Sequence, residues 1–404
     1  MKLKSSRRKF LQAGLALPAV GLISSRSGAA LSQAPAGIVY RTLGKTGLKV
    51  SGVGYGLGNY PLSDVIARCI DLGINYFDTA RHYGGGLSER VFGNTIKGKR
   101  NKILISTKTG GATKEAIFKD IDASLQTIGT DHVDVYLMAA RDTPERMPDE
   151  AVEAMQILKK QGKIRFFGCS THDPNNVVDH IVKCGLDVVQ TSYSYVVGAP
   201  FRDAAIKKLH DAGIGVVAMK VVIGLTVPPR QISPEPEKWP PERLKEFGLK
   251  EAPEDFSLQP TLKAEETPVA AIRWVLRNPA IGTTVPHHES VEEVEMNIRA
   301  MTGSYSPADE KLLYVRGEQN RQLYCRMCYQ CKGQCPQGVP VTDELRFLAY
   351  NDFGRSLEQA RLSFMELPRK IRNVRCSECT SCVVQCPNGV QVRDRLIRAQ
   401  ELLA

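Results

Sequence analysis

Four cysteines, Cys325, Cys328, Cys331 and Cys335, follow one another closely with Pro336 directly behind the last, and the same series returns at Cys376, Cys379, Cys382, Cys386 and Pro387. A thiolate every third residue wraps backbone around a cubane of iron and sulfide, and a fourth thiolate beside a proline reaches across to a second cubane. The spacing therefore predicts two [4Fe-4S] clusters. In the crossed arrangement one takes Cys325, Cys328, Cys331 and Cys386, and the other takes Cys376, Cys379, Cys382 and Cys335. A disulfide scaffold or a zinc site is the alternative, but zinc sites set two cysteine pairs apart rather than running four together. Cys69, Cys169 and Cys184 remain, and they read as small buried side chains, with a disulfide permitted only in an oxidising compartment.

The double run resembles a bacterial-type dicluster ferredoxin over residues 325–404. Its spacer, Pro336 to Arg375, is longer than in the smallest such modules. Helical apolar spacing over Asp343 to Tyr350 and over Ser356 to Glu366 points to a helical module rather than a compact β one.

Upstream, the chain alternates strand and helix. A hairpin, Val39 to Lys49, turns at Gly44 to Gly47. Apolar runs follow at Val50 to Gly56, Asn75 to Ala80, Ile103 to Lys108, Val133 to Ala139, Ile164 to Ser170, Val188 to Tyr193, Gly215 to Val222 and Ile281 to Pro286, each with a helical pattern behind it. Eight such units predict an α/β fold of the (β/α)8 barrel type. An open doubly wound sheet would want a glycine-rich turn opening a helix after the first strand, yet Gly54-Tyr55-Gly56-Leu57-Gly58 leads into Asn59-Tyr60-Pro61. Between the seventh strand and its helix lies a proline-rich connection, Leu225 to Glu266, on the face where barrel chemistry sits. It reads either as a semi-rigid lid or as a solvated insertion.

Asp78-Thr79-Ala80-Arg81-His82-Tyr83 closes the second barrel strand and Thr107-Lys108 the third. Here the chain resembles the aldo-keto reductases, whose fold is this barrel with an opening hairpin. Their reaction is hydride transfer between nicotinamide and a carbonyl or alcohol. The resemblance runs from about Tyr40 to Met301 and implies Tyr83 as proton donor, Lys108 as the charge that lowers the phenol's pKa, and Asp78 as the group that orients the lysine. The family's histidine at the end of the fourth strand falls on Ala139, with His82 and His172 as candidate stand-ins. The resemblance also implies cofactor contacts. Ser170, Thr171 and Gln190 would hold the nicotinamide carboxamide; Met219 would replace the stacking aromatic, with Lys220 beside it; and His287, His288, Glu293 and Asn297 would meet the adenosine end. The implied cofactor is NAD(H) or NADP(H), leaning to NAD(H), and the implied substrate a small carbonyl or alcohol.

Composition bounds the rest. The 404 residues, 42% hydrophobic and 24% charged, suffice for a large core and a second domain. Of the net charge of +11, Lys2, Lys4, Arg7, Arg8, Lys9 and Arg26 supply a share confined to an acid-free leader. Two dianionic clusters would offset most of the remainder, and no basic face invites nucleic acid. Ser6-Arg7-Arg8-Lys9-Phe10-Leu11, a short apolar run from Ala13 to Ile23 and small residues at Ser27 to Ala29 resemble a twin-arginine (Tat) leader, which implies export through the Tat translocon to the periplasm or beyond. The run is too short for a stable membrane span; an uncleaved anchor is the alternative. The division is a leader over 1–29, a barrel over 38–302, a helical linker over 303–324 and a ferredoxin-type domain over 325–404. Two functions compete: an exported iron-sulfur oxidoreductase, and a non-catalytic electron-transfer or scaffold subunit whose clusters serve a redox partner protein.

Glu293 stands where the resembled family places an arginine on the adenosine 2'-phosphate. A carboxylate there repels that phosphate and accepts a hydrogen bond from a free 2'-hydroxyl. Titration of the dinucleotide-free protein with both cofactors is expected to show tighter binding of NAD(H); clearly tighter NADP(H) refutes the assignment.

Overall fold

The computed structural model describes residues 37–198, 201–225, 266–354 and 356–404. The predicted leader and the proline-rich connection, apart from its two end residues, lie outside the described residues.

The hairpin forms as β1 (Tyr40–Thr42) and β2 (Lys49–Ser51), antiparallel, turning through Gly44–Thr46. Eight parallel strands follow: β3 (Tyr55–Gly56), β4 (Tyr76–Asp78), β5 (Leu104–Thr109), β6 (Val133–Met138), β7 (Ile164–Thr171), β8 (Val188–Ser192), β9 (Gly215–Met219) and β10 (Ile281–Thr284). They pair in chain order. A bridge between Val53 and Thr284 joins the first to the last: Gly54 N donates to Thr284 O at 2.7 Å, and Thr284 N donates to Gly52 O at 3.0 Å. The sheet thus closes into a barrel. Among the described residues one helix follows each barrel strand: α1 (Ser63–Asp71), α2 (Leu87–Thr95), α3 (Lys114–Ile128), α4 (Asp149–Lys160), α5 (Pro174–Lys183), α6 (Asp203–Asp211), α7 (Thr267–Leu276) and α8 (Val291–Thr302).

Each of the eight predicted runs overlaps a barrel strand; β5 and β7 run one residue further, to Thr109 and Thr171, β9 stops at Met219, and the largest shift is in the first run. Val50 belongs to the hairpin, and the first barrel strand starts only at Tyr55. The change of direction falls at Gly52-Val53-Gly54, where a Cβ on Gly54 would stand 2.6 Å from Tyr76 O. The pleat sorts side chains to opposite faces of each strand. On β6, Val135 and Leu137 point into the barrel with Tyr76, Val188 and Val217. Tyr136 and Met138 point out against the helices, whose faces make the larger core.

The hairpin plugs the barrel floor. Leu43 is fully buried in the interior cluster, Lys45 N donates to Gly213 O at 2.7 Å, and a Cβ on Gly215 would strike the Leu43 side chain at 2.6 Å. That close approach is why residue 215 carries no side chain.

After the barrel come α9 (Pro307–Gln319), α10 (Val341–Asp352), α11 (Leu357–Met365) and α12 (Val392–Leu403). A reciprocal Ser306–Asp309 cap with Pro307 in the first turn starts α9, and Asp309 also meets Arg273 of α7 at 3.3 Å. The helices predicted in the cysteine spacer appear as α10 and α11. They pack with α12 through Phe347, Leu348, Phe364 and Leu403. Buried Asp352 at the end of α10 pairs with Arg395 and, at 2.9 Å, with Arg398 on α12.

Leu43→Ala is expected to cost about 2 to 5 kcal/mol, the range for emptying a buried leucine site that cannot collapse. Denaturant unfolding measures it, and a loss below about 1 kcal/mol would show that the hairpin is dispensable to the floor.

Candidate active site

Asp78 ends β4 and Lys108 lies near the end of β5, and the parallel register pairs Asp78 with Ser106. Both side chains are buried, at 4% exposure each, and Lys108 Nζ donates to Asp78 Oδ2 at 2.6 Å and to Thr79 O at 2.8 Å. Asp78 also accepts from Ser106 Oγ at 2.9 Å and Gln190 Nε2 at 3.0 Å. Tyr83 sits one turn past β4, where Gly84 and Gly85 take φ of 55° and 61°. Its ring centroid is 5.4 Å from Lys108 Nζ. The expected trio therefore stands together at the barrel mouth.

The electrostatics differ from the sequence expectation. Desolvation raises the Tyr83 phenol above its ordinary value, and Asp78 and Tyr350 add to the rise. Desolvation also lowers the Lys108 ammonium, against the opposing pull of Asp78. The lysine's charge is spent on the carboxylate, so the phenol sees a nearly neutral pair rather than a free cation.

At the end of β6, Ala139 N donates to Thr109 O at 2.9 Å, and Ala140 takes a left-handed φ of 53° with its N–H on Ser170 Oγ at 3.0 Å. Neither candidate histidine fills that corner freely. His172 is buried and faces Asp142 at 3.2 Å, and burial pulls its imidazole down to about 3, so it is neutral at pH 7. Burial alone would raise the Asp142 carboxyl, but His172 and then Arg346 hold it below its usual range. His82 is exposed, its ring edge-on to Tyr83 at 4.9 Å.

The positions read as cofactor contacts are unevenly available. Gln190 Oε1 is buried without a hydrogen-bond partner, an acceptor suited to a carboxamide N–H. The Thr171 hydroxyl is engaged, donating to Asp142 at 3.0 Å and accepting from Asp173 N at 3.1 Å. Met219 is half-buried at the end of β9, and Lys220 behind it takes a left-handed φ of 59°. At the other end, His288 is enclosed against the Tyr55 ring and bonded to Asn297 at 3.2 Å, leaving Asn297 Oδ1 unpartnered. His287 is exposed, with Nδ1 on Gly56 O at 2.9 Å. Glu293 accepts from Glu289 N at 2.7 Å, while its own N–H is capped by Ser290 Oγ at 3.3 Å, so it also serves the start of α8.

Sequence reasoning missed what the tail brings to this mouth. Helix α10 supplies Tyr350, whose hydroxyl receives Lys220 Nζ at 2.9 Å and Arg346 Nη1 at 2.8 Å. No local signal marks a partner 130 residues away. Further joints are Arg202 Nη2 on Met327 O at 3.0 Å, Asn320 Nδ2 on Gly224 O at 2.9 Å, and the Tyr60 hydroxyl on Glu358.

The eleven cysteines are all free thiols. The two runs face each other across an antiparallel bridge, with Lys332 N on Gln385 O and Gln385 N on Lys332 O, both at 2.9 Å. Burial pushes the Cys325 thiol up to about 12, with Cys331, Cys386 and Cys328 adding to it. Burial likewise pushes Cys376 up to about 11, with Glu344, Cys335 and Cys379 adding to it. The first cysteine of each run thus feels both its own run and the last cysteine of the other. Met327 and Tyr329 take φ of 52° and 56°, curling the loop around its thiols. Among the described residues no three His, Cys, Asp or Glu side chains gather as ligands of one metal ion. A cubane asks for thiolates spread around a larger cage, and the facing runs suit that donor set.

The sequence profile of the aldo/keto reductase family matches residues 61–312, ending before the first cysteine run. The L-galactose dehydrogenase of Arabidopsis thaliana is 30% identical over 293 residues, 66% of this chain and 88% of its own length. The NADH-specific methylglyoxal reductase of Escherichia coli K12 is 24% identical over 323 residues, 71% of this chain and 99% of its own. Among solved structures, the holo form of aldo-keto reductase AKR11C1 from Bacillus halodurans superposes with a TM-score of 0.55 at 26% identity, covering 69% of this chain and 96% of its own.

The buried Asp78–Lys108 pair yields a stability prediction. Asp78→Asn strands the Lys108 ammonium and is expected to cost about 3 to 5 kcal/mol, while adding Lys108→Met restores most of the loss. Denaturant unfolding of the two single variants and the double variant completes the cycle, and strictly additive losses would contradict a coupled pair.

Proposed function

Because this chain belongs to the aldo/keto reductase family and is an oxidoreductase of that kind, we propose that it transfers hydride between NAD(H) or NADP(H) and a carbonyl or alcohol, with Tyr83 as proton donor. The arrangement of Asp78, Lys108 and Tyr83 at the strand ends carries this reading. The unpartnered Gln190 Oε1 and Asn297 Oδ1 suit the carboxamide and adenosine ends of a dinucleotide.

When bound, the nicotinamide supplies or accepts the hydride. Tyr83 Oη gives its proton to the developing alkoxide in reduction and takes it back in oxidation. Lys108 stabilises the phenolate left behind, and Asp78 holds Lys108 charged. Gln190 orients the carboxamide while remaining tied to Asp78, which links cofactor position to the proton donor. With Ala139 in place of a histidine, the second hydrogen bond to the carbonyl falls to another group.

The tail is read as a carrier of two four-iron clusters on the crossed cysteine sets, supported by the facing runs and by the absence of any disulfide among the eleven thiols. Hydride moves two electrons and a cubane one, so the clusters would serve a redox partner or hold the tail together. The twin-arginine leader supports export of the folded, loaded protein, in which the dinucleotide would be retained and recycled in place. A scaffold or electron-carrier reading is favoured by Ala139 and by the raised Tyr83 phenol.

Tyr83→Phe is expected to lower kcat by about a hundredfold or more while leaving dinucleotide binding intact, in line with the usual contribution of a general acid. Steady-state kinetics beside a dinucleotide titration tests this. Undiminished turnover removes Tyr83 as the donor, and a wild-type protein that binds neither dinucleotide leaves the scaffold.

A further inference from the structure

The tail contributes charged groups to a mouth that the barrel alone would leave incomplete. Lys220 follows β9 in a left-handed conformation, a strained choice for lysine that a structure retains where the side chain must point a particular way. Among the described residues its one hydrogen-bond partner is the Tyr350 hydroxyl, at 2.9 Å, and no carboxylate pairs with it. Arg346, one helical turn before Tyr350, is 8% exposed and donates to the same hydroxyl at 2.8 Å and to Asp343 at 2.8 Å. Its Nε has no partner. Two cations thus converge on one oxygen in a half-buried corner, and that oxygen belongs to a phenol. Burial alone would raise the phenol's pKa, but Arg346 and Lys220 outweigh it and pull it toward the anion.

We infer that Lys220 and Arg346 form a clamp for the carboxylate of the substrate, an oxo acid or hydroxy acid, and that Tyr350 holds the anion's place until the substrate enters. The corner lies on the same strand-end face as the proton donor, Lys220 following β9 and Tyr83 following β4, and Tyr350 adds to the rise of the Tyr83 phenol. A carboxylate held there would bring a neighbouring carbonyl to Tyr83. The phosphates of a dinucleotide are separated from its nicotinamide by a ribose and would lie further from that phenol. Charge-assisted bonds from two cations, one buried and one half-buried, also favour an acid over its neutral analogue. This inference rests on reading the mouth as a carbonyl site, and it makes the tail a part of substrate recognition.

Equilibrium titration of the full-length protein with oxamate, an unreactive mimic of an oxo acid, and with oxamide, its uncharged counterpart, tests the clamp without turnover. Oxamate is expected to bind about tenfold more tightly or better, and Lys220→Met and Arg346→Gln should each remove about tenfold of that affinity. Tyr350→Phe deletes the competing oxygen while keeping both cations, so it should tighten oxamate binding. Equal affinity for the two probes, or no loss in either cation variant, overturns the clamp. Mutual exclusion of oxamate and a saturating dinucleotide also overturns it, by giving the cations to the cofactor's phosphates. Failure of the wild-type protein to turn over any carbonyl compound would instead count against the oxidoreductase reading and leave the probe titration standing.

Discussion

One buried carboxylate sets the terms for the barrel mouth. Asp78 receives a lysine ammonium and a serine hydroxyl from β5 and a glutamine amide from β8. A charge at 4% exposure is tolerated only when its lone pairs are filled, so each of those donors is fixed in turn. The Lys108 side chain has one place to go, Gln190 is left with its oxygen free, and Tyr83 sits over the result. Burial, with Asp78 and Tyr350 adding to it, holds the Tyr83 phenol above its ordinary pKa, and the carboxylate's hold on Lys108 limits what the lysine can do to lower it.

Elements whose signals are local were legible in the sequence. The strands of the barrel show as short apolar runs because both faces of a parallel sheet are buried, and the hairpin shows through its glycines. The exception is instructive: the run from Val50 to Gly56 is continuous in apolar character but is shared between two sheets, since Gly52 to Gly54 let the backbone turn against Tyr76. Asp78, Tyr83 and Lys108 were recognisable through the resemblance to the aldo-keto reductases, whose spacing they share at two successive strand ends. The engagement of Thr171 by Asp142 was not, because it depends on the loop after β6 folding back over β7. Arg346 and Tyr350 read only as members of a helix between two cysteine runs; their contact with Lys220 is a product of tertiary packing.

That packing makes barrel and tail interdependent. Arg202, 1% exposed, reaches from the barrel to the backbone of Met327 inside the first cysteine run, and Tyr324 beside that run meets Phe353 edge-on with ring centroids 5.2 Å apart and packs against Gly224. The strand end where the resemblance places a histidine carries small residues, Ala139 and Ala140, and across the mouth the tail supplies the Arg346 guanidinium and the Tyr350 phenol beside Lys220 of the barrel.

A hydride-transfer barrel and an iron-sulfur tail in one chain is the union proposed above. Its most direct test is iron and acid-labile sulfide analysis of the anaerobically purified full-length protein, with paramagnetic resonance of the reduced protein and of Cys386→Ser. The account predicts about eight irons per chain in two four-iron clusters and, in the variant, damage to the cluster held by the first cysteine run. A protein that retains eight reactive thiols and carries no iron, or binds zinc in its place, would contradict it.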